Sequence, residues 1–194
     1  MLITPMDLSA YPQCLMPEDV GPTGPRSAGL HLTTILRDIA ITSGLGKDSG
    51  FLEEDLAWFA GPGFLWERIW DRAHSEAIAL GEVVQLGEIV CDGIIGTPDR
   101  IDFRVPKVVE LKVRWKSARK FDALEKEFWI ELMQIKSYCY MLQMLHADLV
   151  VFFVAGDWRP PVPKVRGVHL EFSEMELEET WQQVTRHARR RGWL

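Results

Sequence analysis

The chain has 194 residues, 47% of them hydrophobic and 26% charged, with a formal net charge of −6. This fits one domain with a real core and excludes a uniformly basic nucleic-acid coat, so any phosphate-binding charge has to be local. Three scattered cysteines, Cys14, Cys91 and Cys139, lack CxxC spacing and argue against a disulfide framework, a zinc site or an iron–sulfur cluster. Residues 1–28 carry five of the eleven prolines and read as an irregular N-terminal arm, followed by a single domain over 29–194. A helix is predicted over 32–41, with Thr33 and Thr34 near its start. A short second helix, capped by Ser49, ends near Phe59 ahead of Gly61-Pro62-Gly63. A stronger helix over 64–80 repeats Leu65, Ile69, Ala73 and Ala77 at helical spacing.

The middle of the chain changes character. Stretches 83–92, 93–104 and 108–113 are rich in β-branched residues and punctuated by Gly and Pro, which predicts three successive strands. A long helix is expected over 122–146. The apolar run 147–155 reads as a strand buried on both faces, and 166–172 as one more strand. Ser173 with Glu176 forms the capping-box pattern of a C-terminal helix. The order predicts an α/β fold with a mixed central sheet flanked by helices. No signal peptide or membrane span is recognisable, so a cytoplasmic protein with no membrane contact is expected.

The chemistry concentrates in Gly96-Thr97-Pro98-Asp99-Arg100-Ile101-Asp102 and Val108-Val109-Glu110-Leu111-Lys112. Alternate side chains of a strand share a face, so Glu110 and Lys112 point together while Val109, Leu111 and Val113 point into a core. Asp99, across a hairpin, is placed to approach Glu110. Two converging carboxylates suit Mg²⁺, with Mn²⁺ as a substitute. Such an ion activates water and neutralises charge on a phosphate, and Lys112 adds positive charge to the transition state. Asp102 is the alternative ligand, but alternation puts it on the opposite face. Asp92 reads as a turn residue. His74 follows Glu67 by seven residues and reads as a structural histidine. Basic residues cluster as Lys107, Lys112, Arg114, Lys116, Arg119 and Lys120, and as Arg186, His187, Arg189, Arg190 and Arg191. The second run is explained better by the preference for cations at a helix C-terminus than by a clamp on DNA. Trp115 could stack on a base or simply pack.

These motifs resemble the PD-(D/E)xK nuclease superfamily, with Pro98-Asp99 as PD and Glu110-Leu111-Lys112 as ExK. Glu67 on the preceding helix and Gln134-Ile135-Lys136-Ser137-Tyr138, a QxxxY on the following one, resemble its phage-exonuclease and RecB-like branch. The resemblance covers about 60–155. It implies a restriction-endonuclease-like αβββαβ core and a Mg²⁺-dependent deoxyribonuclease of exonuclease or end-processing type. Glu67 and the Leu111 carbonyl would join Asp99 and Glu110 as metal ligands, and Gln134 and Tyr138 would position water or the scissile phosphate. Arg100 stands where the family pattern often has Gly. DNA is the implied partner, with room for a homo-oligomer and for a recombination or replication partner protein. A structure-selective endonuclease and a non-catalytic nucleic-acid-binding or assembly protein on the same fold are the rival readings.

Overall fold

β-Branched and aliphatic residues build the frame that holds these motifs. The computed structural model describes residues 1–5, 27–45, 53–115, 117–154 and 164–194. In chain order the first elements are β1 (Leu2–Pro5), β2 (Leu30–His31), α1 (Leu32–Thr42), α2 (Glu53–Ala73) and α3 (Ser75–Ala79). Five strands follow: β3 (Val83–Val84), β4 (Ile89–Cys91), β5 (Ile94–Gly96), β6 (Arg100–Asp102) and β7 (Lys107–Arg114). A 3₁₀ turn (Ala118–Ala123) leads to α4 (Leu124–Glu127), α5 (Trp129–Leu142), β8 (His146–Phe153), β9 (Lys164–Glu171) and α6 (Glu174–Arg190).

The main sheet runs β1-β9-β8-β7-β6-β3, and a small second sheet runs β2-β5-β4. β3, β6 and β7 form an antiparallel meander, and α5 then carries the chain over to β8, which lies parallel to β7. With α2 in front, this is the expected αβββαβ core, and the β4–β5 hairpin is inserted between its first two strands. The sheet is covered on both faces. α2 packs Trp66, Ile69 and Trp70 against Val109, Leu111, Val150 and Phe152. On the other face α5 packs on β7 and β8, and α1 and α6 pack on α5 in the core that holds Ile101, Val108, Leu149 and Val151. β8 is therefore buried throughout Ala147–Phe153, as its unbroken apolar run predicts. Each such side chain contributes about 1.5–3 kcal/mol of burial, which makes β7 and β8 a rigid platform.

Several boundaries differ from the sequence reading, for local reasons. The arm is not irregular throughout, because Leu2–Pro5 pair with β9 as an edge strand, where a terminal proline is tolerated. α2 runs unbroken through Gly61-Pro62-Gly63, and the helix expected over 64–80 stops at Ala73 before the short α3. Ser49 lies outside the described residues. Stretches 83–92 and 93–104 are each divided into two short strands. Asp92 (φ 49°) and Gly93 (φ 77°) form the tight turn between β4 and β5, the left-handed pair that a two-residue hairpin requires. Asp92 is thus a turn residue, as expected. Pro98 cannot donate to a ladder, and the break at Thr97–Asp99 separates β5 from β6. The helix expected over 122–146 breaks at Phe128 into α4 and α5. The capping box of Ser173 and Glu176 is present.

Candidate active site

The β6–β7 ladder ends at the pair Arg100↔Val109. One step further the strands part, and the carboxylate of Asp99 takes over from the ladder: its Oδ2 accepts from the Leu111 backbone N–H at 2.7 Å. In a strand the N–H and C=O of one residue face the same neighbour, so the Leu111 carbonyl opens toward the same gap. Glu110 and Lys112 share one strand face as predicted, and that face is also covered. Glu110 is fully buried, and Lys112 donates to its Oε1. The other oxygen, Glu110 Oε2, is buried and has no hydrogen-bond partner among the described residues.

Glu67 reaches the same region from α2, and Asp71 lies one turn further on. Between them and the sheet sits Arg100, nearly buried. Its Nε donates to Asp71 Oδ1 at 2.7 Å, its Nη1 lies 3.5 Å from Glu67 Oε2, and it also donates to the Asp99 carbonyl. Arg100 is therefore turned back into the protein to fix α2 on the strand gap, an internal role rather than a phosphate contact. Asp71 went unnoticed in the sequence. Its signal is the four-residue spacing from Glu67, which puts two acids on one helix face.

The electrostatics follow from this crowding. Burial and the neighbouring Asp99 push Glu110 up to about 8. Burial and Asp99 push Glu67 up to about 7. Burial also raises Asp99, although Lys112 and the Leu111 N–H work the other way. Burial opposes the charge on Lys112, but Glu110 and Asp99 outweigh it and hold the ammonium well above its usual range. Four carboxylates (Glu67, Asp71, Asp99 and Glu110) face two cations, Arg100 and Lys112. Fully ionised, the cluster lacks two positive charges.

That deficit and the orphaned Glu110 oxygen are what a divalent, oxygen-seeking cation would satisfy. Among the described residues no three His, Cys, Asp or Glu side chains form a ready-made cage. The reason is on view: Lys112 covers Glu110, and the Leu111 N–H holds Asp99. The donors fit the ion in kind and charge, provided Lys112 yields part of its hold on Glu110.

A cavity of about 170 Å³ opens on the group, lined by His31, Thr33, Ile95, Thr97, Asp99, Lys112, Gln134 and Tyr138. The Gln134–Tyr138 pair thus lies against Asp99 and Lys112. Gln134 Nε2 donates to the Tyr138 hydroxyl at 2.9 Å, and both residues are buried rather than on the helix surface. Leu132 and Ile135 pack the other side of α5. Tyr138 needs Gly96 opposite it, because a Cβ there would stand 2.8 Å from the ring. His31, Thr33 and Thr97 were not singled out as site residues in the sequence, where nothing but proximity in the fold marks them.

The remaining candidates fall elsewhere. Asp102 is bound to Arg104 and Lys107. His74 lies over Trp70, with its Nδ1 2.9 Å from the Trp70 carbonyl oxygen, a structural placement. The first basic cluster disperses along β7: Lys107 pairs with Asp148, Lys112 with Glu110 and Arg114 with Glu131. In the second, His187 and Arg191 both bind Asp38 of α1. No helix among the described residues is long and apolar enough to cross a membrane.

No protein-family model and no curated protein matches the chain. Solved structures do resemble it. An alkaline exonuclease, LHK-Exo from Laribacter hongkongensis, aligns at 13% identity over 84% of this chain and 87% of that one, with a TM-score of 0.48. A phage-related exonuclease from Haemophilus somnus 129PT aligns at 12% identity over 80% and 78%, with a TM-score of 0.46. The protein SSO0001 aligns at 15% identity over 84% and 78%, with a TM-score of 0.45. At such identities and TM-scores nothing about chemistry passes from one chain to another.

Proposed function

We propose that this chain is a metal-dependent nuclease that hydrolyses phosphodiester bonds of DNA, as an exonuclease or end-processing enzyme of phage or recombination type. The observation that carries this reading is the convergence of Asp99, Glu110 and Glu67 where β6 and β7 part, with one carboxylate oxygen of Glu110 buried and, among the described residues, unpartnered. Asp99, Glu110 and the Leu111 carbonyl are the ligands, and Glu67 is a further one, direct or through water. Mg²⁺, or Mn²⁺ in its place, supplies neutralisation of phosphate charge and a lowered pKa for the attacking water. Lys112, released in part from Glu110, places its ammonium beside the phosphate and stabilises charge that builds on the oxygens. Gln134 and Tyr138 act as one hydrogen-bonded unit that orients the phosphate or the water. The exonuclease part of the reading is supported by this pair, since the QxxxY at the site belongs to the pattern the motifs resemble.

The test is cleavage of labelled single- and double-stranded DNA with Mg²⁺, Mn²⁺, Ca²⁺ or excess chelator. Cleavage is expected with the first two. Ca²⁺ should bind and support little turnover, because its looser coordination does not fix the attacking water. Full activity in excess chelator overturns the metal mechanism, and no cleavage of any DNA with Mg²⁺ or Mn²⁺ overturns the function.

A further inference from the structure

Arg114 is the third charged side chain on the face of β7 that carries Glu110 and Lys112. Its Nη2 donates to Glu131 in the first turn of α5, and its guanidinium lies 5.3 Å from the centre of the Phe128 ring. Glu131 and Phe128 are buried, yet 33% of the Arg114 side chain is exposed. Among the described residues no acceptor meets its Nε or Nη1. Glu131 and one ring hold the guanidinium plane and Glu127 bears on it electrostatically, while the Nε and Nη1 donors stay open to a phosphate.

We propose that Arg114 binds the phosphate next to the scissile one, on the same nucleic-acid strand whose reacting phosphate sits at Lys112. The inference rests on the nuclease reading and adds a second phosphate subsite to it. Two residues along a strand advance about 6.6 Å, comparable to the step between neighbouring phosphates of an extended strand. Arginine suits the task because its guanidinium is always charged and, with Nη2 engaged by Glu131, still presents N–H donors at Nε and Nη1 to phosphate oxygens. Glu131 is a positioning residue that fixes the guanidinium through Nη2.

The competing explanation is a plain staple between β7 and α5. Salt dependence separates the two, because a phosphate contact releases counterions and a staple does not. Binding of a single-stranded oligodeoxynucleotide is measured in Ca²⁺ over a range of salt. Cleavage is measured on that oligonucleotide and on thymidine 5′-(p-nitrophenyl phosphate), which offers one phosphate only. Arg114→Gln is expected to raise the KM for the oligonucleotide severalfold and to lower the log–log salt slope by roughly 0.7, the share of one single-strand phosphate contact. Turnover of the one-phosphate ester should stay at the wild-type level. Arg114→Lys keeps the charge and should keep the slope, with weaker binding. A wild-type slope in Arg114→Gln, or equal losses on both substrates, overturns the proposal. If the wild type binds the oligonucleotide but cleaves nothing, the nuclease reading fails alone, and the slope comparison still decides the contact.

Discussion

Asp99 immediately precedes the three-residue strand β6 and Asp102 ends it, yet they live in opposite electrostatic conditions. Asp102 accepts from the backbone N–H, Nε and Nη2 of Arg104, and Lys107 lies 3.9 Å away. Burial works to raise its pKa, but these partners outweigh it and hold the carboxyl below its ordinary value. Asp148, in the same corner, takes Lys107 at 2.7 Å and His169 at 2.5 Å. Acids and bases balance there, so the corner is complete as it stands. At the other end of β6 the acids outnumber the bases, and the carboxyls of Glu67, Asp99 and Glu110 are all raised. A balanced buried cluster holds strands together, whereas an unbalanced one is costly until something else binds.

The sharpest test of this contrast is to neutralise one acid at each end. Asp99→Asn and Glu110→Gln should each abolish cleavage while the fold persists by circular dichroism, since shape is kept and ligand charge is lost. Asp102→Asn should cleave normally and lose about 1–3 kcal/mol in denaturant titration, the scale of a lost hydrogen bond to a charged group. An inactive Asp102→Asn beside a normal Asp99→Asn would reverse the assignment of the two ends. Next in size is Lys112→Ala. It should cut the rate by roughly a hundredfold or more, the scale of one lost transition-state contact, with metal affinity largely kept in calorimetry. A normal rate would reduce Lys112 to a partner of Glu110 only.

The imbalance also has a sign in pH. Glu110 at about 8 and Glu67 at about 7 lie above their unfolded value of about 4.5. The folded, metal-free protein therefore holds protons that the unfolded chain gives up, and this pair loses stability as pH rises from about 4.5 to 8. The proposed Mg²⁺ would bind the ionised carboxylates, so its stabilising effect should grow over the same window. Melting curves at pH 5, 7 and 8.5, with and without Mg²⁺, are compared for the wild type and Glu110→Gln. The wild type should lose ground to the variant without metal and regain it with metal. A Tm gain from Mg²⁺ that is equal at all three pH values, or equal in the variant, would show that the cluster is not the binding site.

Much of this was legible because strand alternation is strict. Glu110-Leu111-Lys112 could only place its two charged residues together, and the apolar run of β8 could only be a buried strand. The placement of Asp99 rather than Asp102 at the site follows from the same period of two. What stayed hidden depended on contacts between distant segments. Nothing local shows that Arg100 turns toward Asp71, 29 residues earlier, or that Glu131 waits for Arg114. Helix limits were misplaced where burial overrode local preference, as in α2, which continues through Gly61-Pro62-Gly63. The two covered faces of β7 were not foreseen either, since a charged pair on a strand suggests an open face. Its burial is what raises the carboxyl of Glu110.

The smallest expected effect lies furthest from the proposed metal ligands, at the Gln134–Tyr138 pair, and it tests whether the unbalanced end extends to α5. Tyr138 is enclosed, and its hydroxyl has Gln134 as partner. Removing that hydroxyl in Tyr138→Phe leaves the ring and its packing in place, so stability should change by about 1 kcal/mol or less. If the pair orients substrate, cleavage should fall several-fold, with metal affinity unchanged in calorimetric titration. Gln134→Ala should give a similar loss, because each residue holds the other. Gly96→Ala reaches the same pair from the strand side. Its new Cβ would stand 2.8 Å from Tyr138 Cε1 and 3.0 Å from Met141 Sδ, so the ring has to move. That variant should combine the kinetic loss of Tyr138→Phe with the 1–3 kcal/mol typical of overpacking. A stability loss in Gly96→Ala without any kinetic change, together with normal cleavage by Tyr138→Phe, would leave the pair as core packing and confine the reactive end to the gap between β6 and β7.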